Sequence, residues 1–579
     1  MRHLFTFLLV LACGALLAQS DAEPKTIAEK TADMQAFDGF FKFYWDEAAG
    51  KIWLEVDKWD TEFLYVNSLT EGLGSNDIGL DRNQLGGTSI VKFVRRGPKV
   101  MLLQPNYEYR AVSDNAAERK SVEQAFAKSV LWGFKVEAEA DGNVLIDMTK
   151  FLLRDAHGVI GRLKRGNPGT SRLDASRSAI ATARTKNFPK NTEFEAMITF
   201  TGDAKGGYIR SVAPSADDLT VQMHHSMVEL PDDNYEPRMY DPRSGYGAIS
   251  YADYATPIDQ PLVKRFIRRH RLEKKNPNAA MSEPVEPIIY YLDPGTPEPV
   301  LSALMEGASW WNQAYEAAGY KDAFQVKVLP EGADPMDVRY NVINWVHRST
   351  RGWSYGASVT DPRTGEIIKG HVSLGSLRVR QDFMIAQGLI DAYAKGEEPD
   401  PRMLEMALAR LRQLSAHEVG HTIGLSHNFA ASVNGRASVM DYPHPYITFD
   451  ANGNADFSEA YDVGIGEYDK RAIIYGYQDF PEGTDEEEAL MDILDETYNE
   501  MGLLYLTDQD GRPQSSANPY THLWDNGKDP MSEMRRMMDY RKQALASFDE
   551  QNIATGAPMA TLENVLVPLY LSHRFQVEA

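Results

Sequence analysis

His417-Glu418-Val419-Gly420-His421-Thr422-Ile423-Gly424-Leu425-Ser426-His427 reads HExxHxxGxxH without a gap, at the end of the strongest helical pattern in the chain. From Pro401 to Gly424, Leu404, Leu408, Leu411 and Leu414 recur at near-helical spacing. Histidines four apart on such a helix lie one turn apart on one face, so His417 and His421 can converge on one cation. A straight continuation would carry His427 up and away from that cation. Gly424 resolves this by ending the helix, with the positive φ that glycine adopts freely, and turning the chain back. Three neutral imidazole nitrogens at about 2.0–2.1 Å from one Zn2+ leave a fourth position for water, the arrangement of a catalytic zinc site rather than a closed structural one. Glu418, next to the first ligand, is placed to take a proton from that water, whose pKa zinc lowers toward about 7.

With these histidine, glutamate and glycine frequencies, HExxH arises by chance in roughly one such chain in fifty, and the full motif in about one in tens of thousands. Thirteen residues past His427, SVMDY places Met440 where a tight turn can pass beneath the site, with Tyr442 two residues on. A lone methionine is ordinarily core filling. Beside the three-histidine motif it resembles the Met-turn of the metzincin superfamily of zinc peptidases. HEVGHTIGLSHN is similar to the matrixin style of the motif, Tyr442 to the tyrosine of astacins and serralysins, and YDVGIGEYDKRAIIYGY to the helix that follows the Met-turn in several metzincins. With DPRTGEIIKGHVSLGSLRVRQD and a long β-rich N-terminal region, the chain most resembles a group of bacterial secreted zinc-dependent metalloproteases.

That resemblance implies roles. His417, His421 and His427 would be the zinc ligands, Glu418 the general base, and Met440 the residue packed beneath the metal. Tyr442 would ligate zinc or hydrogen-bond the oxyanion, with a packed turn tyrosine as the competing reading. An extended protein or peptide substrate would pair with an edge strand above the cleft, for which His371, Val372, Ser373 and Leu374 of HVSLGS are the candidates. His371 and His444 are read as hydrogen-bonded structural residues near the site.

Outward from the motif, the expected fold is α+β. Residues 287–480 alternate strands and helices: the strand IIYYLD, a helix capped at Thr296 and stopped at Gly319, the strands FQVKVL and VRYNVINWV, a hairpin turning at DPRTG, and the active-site helix. Residues 21–231 are a β-rich domain of alternating runs such as KIWLEVDKW. Within it His224 and His225 are adjacent on a strand and point to opposite faces, so they cannot jointly hold a metal. Residues 232–286, rich in Pro, Gly and Tyr, read as a connecting segment; their basic run VKRFIRRHRLEKKNP is a solvated element rather than a nucleic-acid patch. Residues 481–579 are helical and acidic, with a capping box at Thr484, and end within an apparent helix, which suggests a region that continues. Their carboxylates lack the loop spacing that Ca2+ requires, so calcium is unsupported.

The chain has 579 residues with Lys+Arg 60 against Asp+Glu 83, a net charge of -23, which disfavours nucleic acid as a partner. Residues 1–20, MRHLFTFLLVLACGALLAQS, read as a signal peptide cut after Ser20, giving a periplasmic or extracellular protein without a transmembrane span. The minority reading makes Cys13 a lipidated first residue. Cys13 is the single cysteine, so cleavage leaves no thiol for a cysteine-switch latency, and the N-terminal domain is expected to be a permanent companion. The expected function is a zinc endopeptidase. The alternatives are a zinc exopeptidase and a catalytically silent zinc-binding adhesion protein.

Overall fold

The computed structural model describes residues 26–166, 169–394, 398–516 and 518–578. The expected signal peptide and Cys13 lie outside them. Among the described residues no helix is long and apolar enough to cross a membrane.

The N-terminal region is built on an antiparallel sheet of 13 strands running from Gln35–Phe37 to the long pair Asn191–Ala204 and Asp218–Glu229. The alternation that predicts these strands also decides what each face buries. In Glu62–Glu71, Phe63 and Tyr65 enter an aromatic core with Phe41, Phe43, Phe93 and Phe194. Leu64 and Val66, on the opposite face, pack with Ile90 and Val228 against Val338 and Val359 of the following domain. Beside that apolar contact, Arg348 and Asp81 form a buried two-pronged ion pair at 2.9 and 3.0 Å.

The second domain holds a five-stranded sheet in the order Phe324–Val328, Ile288–Leu292, Asn341–Val346, Ile367–Gly375, Tyr355–Thr360. The first four are parallel and the last is antiparallel to its neighbour. Behind it lies helix Val300–Ser309, which starts later than expected. Glu298 precedes Pro299 and is thereby disfavoured from helical geometry, and the Thr296 hydroxyl has no partner. This helix and the active-site helix, Pro401–Thr422, approach so closely that a Cβ on Gly307 would lie 2.0 Å from the Arg412 carbonyl. The Ser415 hydroxyl donates to the Leu304 carbonyl and the Trp311 indole to that of Ala416, both at 2.8 Å. These bonds hold the histidine-bearing end of the active-site helix in place.

The stretch 232–286 does more than connect. Ala248–Asp253 and Val263–Ile267 pair as strands, and Gly245 and Gly247 bond to the loop after the active-site helix: the Ser426 amide donates to the Gly245 carbonyl and the Gly247 amide to that of Gly424. In the C-terminal region, Asp485 rather than Thr484 caps helix Glu486–Asp495, by accepting from the Glu488 amide. Helices Pro530–Ala546 and Thr561–Tyr570 bury Met537, Tyr540 and Leu569 in one core with Met403 and Met406 of the active-site helix.

Candidate active site

Gly424 has φ +110°, and a Cβ there would sit 1.9 Å from the Arg268 carbonyl oxygen. Only glycine satisfies both the backbone turn and the close approach of the 232–286 stretch. The turn brings His427 back, and one ligand atom from each of His417, His421 and His427 lies within 4.8 Å of the other two.

The other nitrogen of each ring is tied down. His417 Nδ1 bonds the Val439 carbonyl at 2.8 Å, His421 Nδ1 the Leu425 carbonyl at 2.9 Å, and His427 Nδ1 the Asp508 carboxylate at 2.6 Å. A carbonyl or carboxylate partner makes Nδ1 the donor, so the lone pair of every ring is on Nε2. Nε2 of His417 and of His427 is buried without any hydrogen-bond partner. Buried polar atoms without partners are rare, and convergent imidazole lone pairs are the donor set of a zinc ion. The three histidines therefore fit Zn2+. Burial and the neighbouring imidazoles hold His417 well below the usual histidine range and bring His421 down to about 4, so both are neutral, as ligands must be.

Glu418 is 5% exposed, and burial raises its carboxyl to about 8 against the opposing influence of the Arg410 charge and the Gly356 amide. Gly356 belongs to strand Tyr355–Thr360, and a Cβ there would lie 2.2 Å from the Glu418 carbonyl oxygen, so strand and helix touch. Met440 packs under the helix: a Cβ on Gly420 would meet its sulfur at 2.3 Å and Trp311 at 2.7 Å. The turn before it is fixed by Asp469, which accepts from the Ser438 hydroxyl at 2.5 Å and the Val439 amide at 2.7 Å. Val439 in turn supplies the carbonyl that orients His417.

Tyr442 faces the ligands, its ring centroid 5.3 Å from that of His417 and 4.7 Å from that of His427, and it stacks on Trp524 at 5.0 Å. Burial raises its phenol to about 12, which keeps it a proton donor at neutral pH. The cleft above, about 930 Å³, is lined among others by Tyr355, Gly356, Glu418, His421, His427 and Tyr442.

One expectation is corrected. His371, Val372, Ser373 and Leu374 are not on an edge: Ile367–Gly375 is an interior strand between Asn341–Val346 and Tyr355–Thr360. The hairpin is as expected, but its first strand takes the outer position, because the second satisfies its other side against the parallel sheet. The strand beside the cleft is Tyr355–Thr360. His371 is buried next to Asn344, 3.2 Å from its side-chain nitrogen, and His444 makes a 3.3 Å contact with the Pro445 carbonyl. Neither joins the histidine cluster.

Sequence reasoning missed Asp508, which lies 81 residues beyond His427, and gave no role to Asp469. The only signal for Asp469 is its place in the quoted YDK. Asp508 carries none, since single aspartates in an acidic tail are indistinguishable.

Three convergent imidazoles flanked by a buried glutamate, on a helix and its return loop beneath an open cleft, support a zinc metallopeptidase. Residues 399–579 match the family model described as Met-zincin, a similarity that together with the histidine triad supports a zinc metallopeptidase. Residues 83–275 match a domain of unknown function (DUF5117) and residues 24–72 another (DUF5118). No curated protein matches the chain. The Met-zincin match begins at the active-site helix and continues through the C-terminal helices, the stretch that also contains Asp508.

Proposed function

We propose that the protein is an exported zinc-dependent endopeptidase. The observation that carries the peptidase reading is the convergence of three oriented imidazoles, two with buried and unpartnered Nε2 atoms, beside a buried Glu418 at the foot of a large cleft. Zn2+ held by His417, His421 and His427 would supply Lewis-acid polarisation of the scissile carbonyl and of water. A cation on the three histidines would favour the ionised form of Glu418 against the burial that raises it, and this carboxylate takes the proton of the attacking water and passes it to the leaving amide nitrogen, serving as base and then as acid. The Tyr442 hydroxyl is a neutral donor at the cleft wall, suited to the oxyanion that develops on the carbonyl oxygen. The edge of Tyr355–Thr360 offers main-chain groups to an extended peptide, which supports cleavage within a chain.

Export rests on the leader-like residues 1–20. The β-rich region acts as a companion domain, a reading supported by the Leu64–Val338–Val359 packing and the buried Arg348–Asp81 pair. The test compares wild type with Glu418→Ala on a proteome-derived peptide library, with bound-metal analysis in parallel. Chelator-sensitive internal cleavage by wild type, and its loss in a variant that retains zinc, is the expected result. Full hydrolysis by the variant would sink the mechanism.

A further inference from the structure

The cleft wall carries several arginines, and one of them, Arg410, is in no ion pair among the described residues, with Asp382 and Glu418 acting on it only from a distance. Arg410 lies seven residues before His417 on the active-site helix and lines the same cleft. It is 3% exposed, and its Nε and Nη1 are buried without a hydrogen-bond partner. Its guanidinium stands 5.7 Å from the centroid of Tyr461, whose hydroxyl is also buried and unpartnered. Arg378, also on the cleft wall, is already held by Asp382 through two bonds of 2.7 and 2.8 Å. Arg351 lines the cleft as an exposed residue. Burial and the neighbouring Arg378 pull Arg410 down to about 10, so it remains a cation at neutral pH.

Burying a guanidinium without a partner is costly, and an apolar residue of similar size would serve packing better. A planar fork of donors on the wall of a substrate cleft matches a carboxylate, which it can grip in two-pronged fashion. We propose that Arg410 and Arg378, with Arg351 at the rim, form a subsite that binds a carboxylate of the substrate peptide, either an acidic side chain or the C-terminal carboxylate. Arg410 and Glu418 are eight residues apart on one helix, about 12 Å of rise. An extended peptide covers that in about three to four residues. The carboxylate is thus recognised within a few residues of the bond that is cut.

This inference rests on the peptidase reading, and its test separates the two. The probes are acetylated alanine hexapeptide amides with one glutamate or one glutamine at each position in turn, and the same peptides as free acids. Calorimetry on the full-length Glu418→Gln protein reads binding without turnover. The glutamate peptide at one or two positions, or the free acid, is expected to bind roughly ten- to hundredfold more tightly than its neutral counterpart. Adding Arg410→Gln should abolish that preference, and Arg410→Lys, which keeps the charge but not the fork, should restore part of it. Preference for the free acid alone identifies a carboxypeptidase-like grip; preference for glutamate identifies side-chain recognition. If Arg410→Gln fails to fold, the exposed Arg351→Gln is expected to weaken the same preference severalfold. Equal binding of acidic and neutral probes overturns the subsite, whether or not the wild type cleaves peptides. Failure of the peptidase reading shows separately, as absence of chelator-sensitive cleavage by the wild type.

Discussion

Replacing Asp508 tests whether the C-terminal region helps build the metal site. Its carboxylate accepts from His427 Nδ1 at 2.6 Å, and its other oxygen is bonded by the Arg512 guanidinium. Together the His427 hydrogen bond and Arg512 overcome burial and pull Asp508 down to about 2, so it is ionised throughout the useful pH range. A charge-assisted bond of this kind contributes about 1.5–3 kcal/mol. The Asp508 side chain is 40% exposed, so the lower part of that range applies. About 1.5–2 kcal/mol corresponds to roughly a ten- to thirtyfold loss of zinc affinity, within the range found for partners that orient metal-bound histidines. Asp508→Ala should show this in competition against a chromophoric chelator, with melting of the metal-free protein confirming an intact fold. Asp508→Asn keeps an acceptor for Nδ1 and should lose less. Asp529→Ala, which removes an exposed helix cap elsewhere in the same region, should leave affinity unchanged. Zinc binding by Asp508→Ala within twofold of wild type would refute the assigned orienting role.

Gly424→Ala forces a Cβ to 1.9 Å from the Arg268 carbonyl at φ +110°; we expect a loss of about 3 kcal/mol or more in denaturant unfolding, together with loss of zinc. Met440→Ala should cost about 2–5 kcal/mol through the cavity beneath the helix, whereas Met440→Leu should cost less than about 1.5 kcal/mol, both read from denaturant midpoints. His224 is buried between Glu193 at 2.5 Å and Glu195 at 3.2 Å, and these carboxylates, against burial, raise it from 6.5 to about 9. A raised histidine stabilises fully below the unfolded value and loses its contribution as pH rises through the folded one, so stability should fall between about pH 6.5 and 9, by on the order of 3 kcal/mol. His224→Gln should flatten that slope, and an unchanged slope in the variant would assign it to other groups.

Much of the candidate site was legible because its information is local. His417, Glu418 and His421 sit within little more than one helical turn, and Gly424 announces the reversal that recovers His427. The hairpin was also legible, from its strand texture and the DPRTG turn. Which of its strands became the edge was not, because either strand satisfies the same alternation and only pairing with Asn341–Val346 decides the order. The helix expected at Thr296 began later for a local reason, the proline at 299, which a stricter reading of the pre-proline residue would have caught.

By itself the sequence determined the three-histidine motif, the glutamate within it, the methionine thirteen residues on and the β-then-α+β order of the chain, since helical period and glycine conformation act over a few residues. Tertiary structure alone decided that Asp508 and the Val439 carbonyl orient His427 and His417, that the 232–286 stretch closes over Gly424, and that Arg410 lines the cleft with buried donors that no protein group accepts. Each of those depends on which distant groups share a buried volume. Desolvation makes such pairings, and the lack of one at Arg410, energetically decisive, and no spacing in the chain records them.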